Sequence, residues 1–405
     1  HQLVALSDMR DACMRREIAR AWQEHPDRKI VRLSEVGFDP GGEDPGITCN
    51  LWAGWPTTPK AGTCDKLLTL LWYMTARETA VRDELYLWLL RWLAYPIQHP
   101  GAKMRTSLVV HGPQGTGKNL FFEAYMAIYG QYGRVIDQAT VEDKFNDAFS
   151  RKLLLLADEV VARSELYHVK NKLKHLITGD WIHINPKNVA AYDERNHVNL
   201  IFLSNETLPV VVERDDRRYG VLWTPDALPQ EFYTDVRAEI AAGGIAALHD
   251  HLLNLDLGDF QPGTRAPMTD AKRELIDQSL DSTSRFYLAL AAGDVGTVPL
   301  VPCLSDDIYE LYRTWAQRNG HRPAPHQRLV SAVTRHHGAR QLRRRIAFGI
   351  DDGDQKALRS MIVFEGNAPD PGANEAEWYG QKVAAFRERS DLYRGVGKES
   401  NYGKA

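Results

Sequence analysis

The chain has 405 residues, with 50 Lys and Arg against 53 Asp and Glu and a formal net charge of −3. An apolar share of 43% with 25% charged residues is ordinary for a globular protein of two or three domains, so disorder is not the default expectation. There is no apolar run of about eighteen residues and no signal peptide, so neither membrane insertion nor secretion is supported.

The chain begins with His1 rather than Met, which suggests a fragment with sequence missing upstream. Residues 3–33 read as mainly helical. Residues 37–59, with Asp39-Pro40-Gly41-Gly42 and Trp55-Pro56, read as a packed but irregular connection. Residues 65–95 form two helical stretches rich in Leu and Trp: Leu70, Leu71, Trp72, Tyr86, Trp88, Leu89, Leu90, Trp92 and Leu93. Such a stripe is core far more often than ligand site, so a helical subdomain packed against the following domain is expected. Cys13, Cys49, Cys64 and Cys303 sit at no spacing that would build a zinc site or a disulfide framework, a usage that fits a reducing cytoplasm.

The sharpest signal comes next. An apolar stretch at 107–110 precedes Gly112-Pro113-Gln114-Gly115-Thr116-Gly117-Lys118-Asn119, and the helix-like Leu120-Phe121-Phe122-Glu123-Ala124 follows. Strand, glycine loop and helix in that order curl backbone N–H groups around a triphosphate and aim the positive end of the helix at it. Residues 112–119 are therefore expected to line ATP, with Lys118 reaching its β- and γ-phosphates. Where Ser or Thr normally ligates Mg²⁺ the chain has Asn119. Its amide oxygen is a hard ligand, so a metal site in altered form is expected.

Residues 106–224 alternate short β-like runs with helical segments, which argues for a mostly parallel sheet covered by helices. The apolar run 153–157 ends in Asp158-Glu159, which places Asp158 to hold Mg²⁺ and Glu159 to orient and deprotonate an attacking water. The run 199–203 ends in Ser204-Asn205, where Asn205 is positioned to bond the γ-phosphate or that water. Glu213-Arg214-Asp215-Asp216-Arg217-Arg218-Tyr219 then sets two adjacent arginines before a short strand at 220–223. An arginine inserted from a neighbouring subunit accelerates phosphoryl transfer by about 10³–10⁵ and implies a ring. The ordinary alternative is a surface salt bridge to Asp215 or Asp216. Arg217 is favoured as the finger, with Arg218 as a structural or second phosphate contact.

After residue 225 the chain turns helical, breaks at Gln261-Pro262-Gly263 and restarts at Thr269, so a domain boundary is expected near Pro262. Nine arginines lie between residues 311 and 350, with no Asp or Glu: Arg313, Arg318, Arg322, Arg328, Arg335, Arg340, Arg343, Arg344 and Arg345. That is a footprint for phosphate backbones, or else a solvated basic face. Residues 284–365 read as two or three helices followed by a β-like 358–364, the outline of a small winged-helix fold. The polar tail after Asn367 is expected to be mobile.

The order of these motifs is similar to superfamily 3 helicases, the compact AAA+ replicative motors of small DNA viruses, phages and mobile elements, and looks like their phage primase-helicase branch. The residues that carry the resemblance are those of the glycine loop, then Leu156-Ala157-Asp158-Glu159, Lys174-His175-Leu176-Ile177-Thr178-Gly179-Asp180 with Lys187, Leu203-Ser204-Asn205, and Asp216-Arg217-Arg218-Tyr219. It covers about residues 30–225, and more loosely 265–335. It implies that the segment between the acidic strand and the Asn205 strand folds as a hairpin projecting into the channel of a hexamer. Residues 181–184, Asn185-Pro186-Lys187-Asn188 and 189–192 fit such a hairpin. Lys187 and Asn188 would sit at its tip against single-stranded DNA, and Lys174 matches the lysine that opens the motif; such contacts are salt-sensitive and sequence-indifferent.

These readings combine into an α/β protein. An AAA+-type P-loop core is expected at residues 101–262, a mainly helical region at 1–100, a helical or winged-helix-like basic domain at 263–366 and a polar tail at 367–405. The expected activity is an ATP- and Mg²⁺-dependent DNA helicase working as a ring, six-membered and 3′ to 5′ by resemblance, in the cytoplasm of a bacterial or phage-infected cell. Its expected partners are single-stranded or forked DNA, further copies of the chain, and a primase or polymerase segment upstream or in trans. The rival reading is an origin-binding initiator or loader that uses ATP only as an assembly switch. A small-molecule kinase would have no use for the arginine pair or the basic segment.

Overall fold

A computed structural model describes residues 6–160, 167–187, 190–213, 215–336, 339–347 and 357–396. The chain divides into two compact units, residues 1–279 and 280–405.

The first unit begins with α1 (Leu6–Ala12) and α2 (Arg16–Glu24), a two-residue parallel pair, β1 (Val36–Gly37) and β2 (Cys49–Asn50), and two helices, α3 (Asp65–Met74) and α4 (Arg82–Gln98). There follow β3 (Ser107–His111), α5 (Lys118–Tyr129), β4 (Gly133–Ile136), α6 (Gln138–Glu142), β5 (Leu154–Asp158), α7 (Tyr167–Thr178), an antiparallel hairpin of β6 (Trp181–Ile184) and β7 (Tyr192–Arg195), then β8 (Asn199–Ser204) and β9 (Tyr219–Trp223). The unit closes with α8 (Gln230–Glu239), α9 (Ile245–Leu253) and α10 (Asp270–Ser279). Five strands form a parallel sheet in the order β4-β5-β8-β3-β9.

The strands are apolar at consecutive positions because both faces of the sheet are covered. Leu108, Val110, Leu154, Leu156, Ile201 and Leu203 enter one core with α3, α4, α5, α8 and α9. Val109, Leu155, Phe202 and Val221 enter a second, with α7 and α10. The apolar runs expected as strands at 107–110, 153–157, 199–203 and 220–223 agree with the structure to within a residue. The short β4, with only Ile136 fully buried, carries too weak a pattern to read from sequence.

Two expected boundaries move. Residues 1–100 are not a separate subdomain, since Leu70, Leu71, Trp92 and Leu93 share one core with Leu108 and Phe121. The break at Pro262 lies inside the first unit, because α10 completes the sheet's edge. Thr269 Oγ1 donates to the Val221 carbonyl at 2.7 Å and Lys272 Nζ to that of Tyr219 at 2.8 Å, satisfying outward-facing groups of β9 that would otherwise stand open. The buried carboxylate of Glu78, between α3 and α4, accepts from the N–H groups of Asp270 (2.6 Å) and Ala271 (3.2 Å) and so caps α10.

The second unit runs α11 (Ser282–Ala292), β10 (Cys303–Leu304), α12 (Ser305–Arg318), α13 (His326–His336), β11 (Arg340–Ile346), β12 (Ala357–Val363) and α14 (Glu375–Arg394). Its antiparallel sheet has the order β10-β12-β11. The sequence reading of two or three helices followed by a β-like run at 358–364 covers α11 to α13 and β12, but it has no counterpart for β10 or β11. The expected mobile tail instead contains α14, capped by Asn374 Oδ1 on the Ala376 N–H at 3.2 Å. Tyr379 and Val383 pack on Leu304, Ile346 and Met361. The charged residues around them hide that short apolar stripe. No described helix is long and apolar enough to cross a membrane.

A chain ending at residue 279 should melt close to the first unit of the full protein. One ending at residue 262 loses the burial of Leu275 and Ile276, about 3–6 kcal/mol together, and its melting temperature should fall by at least about 6 °C in differential scanning calorimetry.

Candidate functional site

The carboxyl edge of the parallel sheet carries the cleft. Strand β3 ends at His111 and the chain turns at Gly112 (φ 141°), where a Cβ would lie 2.4 Å from Thr224 Oγ1. At Gly117 (φ 86°) a Cβ would meet Tyr233 Cε1 at 2.9 Å, so neither position admits a side chain. Helix α5 starts at Lys118. The Lys118 ammonium donates to the carbonyls of Gly112 (3.0 Å) and Pro113 (2.8 Å) and to Asn205 Oδ1 (3.0 Å). Lys118 is only 4% exposed, and burial lowers its pKa while the charges of Asp158 and Glu159 act to raise it.

Strand β5 delivers the two carboxylates beside this loop. Asn119 Nδ2 donates to Asp158 Oδ2 at 3.2 Å, and Asn205 Nδ2 donates to Glu159 Oε1 at 2.8 Å. Asn205 thus joins Lys118 to Glu159. Strand order makes this possible, since β8 lies between β3 and β5. Glu159 has φ 52°, a left-handed conformation that costs a non-glycine residue about 1–2 kcal/mol. Its N–H donates to the Leu203 carbonyl at 2.9 Å, which holds the strained residue to the end of β8. Here the Asn119 amide nitrogen faces the Asp158 carboxylate, so Asp158 is the hard-oxygen donor that fits Mg²⁺, and Asn119 would join it only with its amide turned to present the oxygen.

A cleft of about 430 Å³ spans Gly115 to Leu120, Asp158, Glu159 and Asn205. Of the loop residues expected to line it, Gln114, Gly115, Thr116, Gly117, Lys118 and Asn119 do so, while Gly112 and Pro113 serve through their carbonyls. Sequence reasoning missed Gln230, Tyr233 and Arg237 of α8 on the opposite wall. Arg237 is exposed and has no ion pair among the described residues. The only signal was its position four residues after Tyr233, on one face of the helix following the last strand. His111 was missed too. Its pKa is lowered to about 4, first by burial and then by Lys118 and Arg77, against the Glu206 carbonyl, which raises it. At neutral pH the ring is uncharged, and Lys118 is the positive group at the loop.

The two arginines are not in the cleft. Arg218 is clamped by Asp216, whose side chain is fully buried; Nε and the backbone N–H donate to Oδ1 at 2.9 and 2.8 Å. The structure therefore gives Arg218 the salt-bridge role and leaves Arg217 exposed, with no ion pair among the described residues. Lys174, on α7, is ion-paired with Glu213 at 3.0 Å and anchors the segment before the arginines rather than the hairpin. Lys187 is exposed beyond β6, while Asn188 and Val189 lie outside the described residues. The return strand starts at Tyr192, opposite Ile184, later than the 189–192 expected.

Fold and site together define an α/β protein with a parallel sheet covered on both faces and a glycine-loop cleft at its carboxyl edge. Residues 110–218 match a domain family described as a family of unknown function, DUF5906. Over 212 residues, 51% of this chain, the sequence is 29% identical to a DNA primase-polymerase of Nitratiruptor phage NrS-1. The match spans 29% of that protein, so the chain spans less than a third of the relative's length. The solved apo structure of the NrS-1 C-terminal region has a TM-score of 0.65 at 19% identity, covering 90% of this chain and 91% of that one. A second structure, the A form of the same region, gives 0.65 at 20% identity with the same coverage. At this identity the likeness is one of fold.

Replacing Glu159 tests its backbone strain. Glu159→Gly should be more stable than Glu159→Ala by about 1 kcal/mol in urea denaturation, since both lose the carboxylate but only alanine keeps the left-handed penalty. Equal midpoints would show that the backbone relaxes.

Proposed function

We propose that the first unit is an ATP-hydrolysing motor of the AAA+ type, and that the chain is a phage DNA-replication helicase working on single-stranded or forked DNA as a ring of six. The observation that carries this reading is the Asn205 amide, hydrogen-bonded to Lys118 on one side and to Glu159 on the other. A phosphate-binding lysine and a base tied through one amide can register whether the terminal phosphate is intact. The similarity to a phage DNA primase-polymerase supports a role in phage DNA replication, in the cytoplasm of the infected cell and alongside a primase or polymerase segment.

In this reading the loop N–H groups and the α5 N-terminus bind the phosphates, and Lys118 leaves its carbonyl partners for the β- and γ-phosphates. Asn205 fixes the Glu159 carboxylate so that Glu159 accepts the proton of the attacking water. Asp158, joined by Asn119 with its amide oxygen turned inward, would hold Mg²⁺, which would supply charge neutralisation at the phosphate oxygens. Arg217, with no ion pair among the described residues, extends to the nucleotide of an adjacent subunit, and the hairpin carries Lys187 to the DNA backbone.

Lys118→Ala should abolish ATP hydrolysis and unwinding; unwinding that persisted would end the motor reading. Arg217→Ala should lower hydrolysis about 10³-fold, and mixing it with Lys118→Ala subunits should restore part of the rate at hybrid interfaces. No recovery on mixing would place Arg217 outside a shared site. Lys187→Ala should keep basal hydrolysis and lose its stimulation by single-stranded DNA in a coupled ATPase assay.

A further inference from the structure

The second unit offers a surface that the cleft chemistry does not use. Helix α13 buries Leu329, Val330 and Val333 and leaves Gln327, Ser331 and Arg335 exposed at four-residue spacing, so one outer face is polar and hydrogen-bonding throughout. Strands β11 and β12 form a two-stranded wing, with Arg343 opposite Ser360 and Arg345 opposite Leu358. Residues two apart on a strand share a face. Arg343 and Arg345 thus lie on the side of the sheet that carries Ile362, the side packed with Leu329 and Val333 of α13. The other side, with Ile346 and Met361, is covered by Tyr379 and Val383 of α14.

Several other arginines of this unit have partners. Arg313 pairs with Glu310, Arg387 with Asp307 and Arg328 with Asp281, and Arg318 lies over the Tyr393 ring at 4.4 Å. Arg335, Arg343 and Arg345 have no ion pair among the described residues, and all three are exposed. Positive charge left unpaired on one helix face and the adjoining wing, beside pairs made elsewhere in the same unit, is complementary to a polyanion of fixed shape. An α-helix is about 10–12 Å across with its side chains, and the major groove of B-DNA is about 12 Å wide. Gln and Arg are the side chains that read adenine and guanine edges there.

We infer that the second unit binds duplex DNA, with α13 in the major groove through Gln327, Ser331 and Arg335 and the wing residues Arg343 and Arg345 on the flanking phosphates. This holds whatever the cleft of the first unit hydrolyses. Each phosphate contact contributes about 0.9 to the slope of log affinity against log salt.

The test uses the full chain without nucleotide, titrated by fluorescence anisotropy with a blunt 24-base-pair duplex, about two helical turns, and with a single strand of the same length, over a range of salt. In Arg343→Ala/Arg345→Ala the duplex Kd should rise at least about tenfold and the salt slope fall by about 1.8. Single-strand binding and DNA-free ATP hydrolysis should stay within about twofold. Gln327→Ala/Arg335→Ala should weaken duplex binding with no change in melting temperature, and Lys118→Ala should bind the duplex as the unmodified chain does. Duplex binding unchanged in both double variants, lost only in parallel with single-strand binding, or lost in Lys118→Ala would overturn the inference.

Discussion

A single ammonium organises the cleft. Lys118 is held away from water, against two carbonyls of its own loop and the oxygen of Asn205, and a buried cation of that kind must be surrounded by acceptors or by negative charge. Loop shape follows from this requirement. The positive-φ glycines let the Gly112 and Pro113 carbonyls turn inward, and Asp158 and Glu159 lie close enough to stabilise the charge that burial opposes. Asn205 then transmits the position of the ammonium to Glu159, so loop, acidic strand and β8 are adjusted as one hydrogen-bonded set.

That set depends on the sheet below it. A parallel sheet buried on both faces brings its strand ends to one edge, and the order β5-β8-β3 puts three polar strand ends side by side. The helices from residues 65–98 cover one face, which is why they share a core with the strands instead of forming a unit of their own.

Much of this was legible in the sequence. Strand, glycine loop and helix around residues 107–129, the acidic end of β5 and the amide end of β8 follow from local pattern, because each is fixed by residues adjacent in the chain. The helices of the second unit and its last strand were also readable, but not β10 or β11. What escaped depends on distant contacts. Arg237 reaches the cleft only because α8 folds back over the loop, the conformation of Glu159 is imposed by Leu203, and the choice between Arg217 and Arg218 rests on how Asp216 is buried. Helix α14 was hidden by its charged surface, and the division between units by a proline-glycine break that turned out to be a surface loop leading into α10.

The Glu78 cap has a mechanical consequence. Through its two bonds to Asp270 and Ala271, and through Thr269 and Lys272 on the Val221 and Tyr219 carbonyls, the last helix before Leu280 is tied both to the helical layer and to β9, the strand that Arg217 and Arg218 immediately precede. The first turn of that helix is therefore fixed on two sides, so any displacement of it is shared between the helical layer and β9.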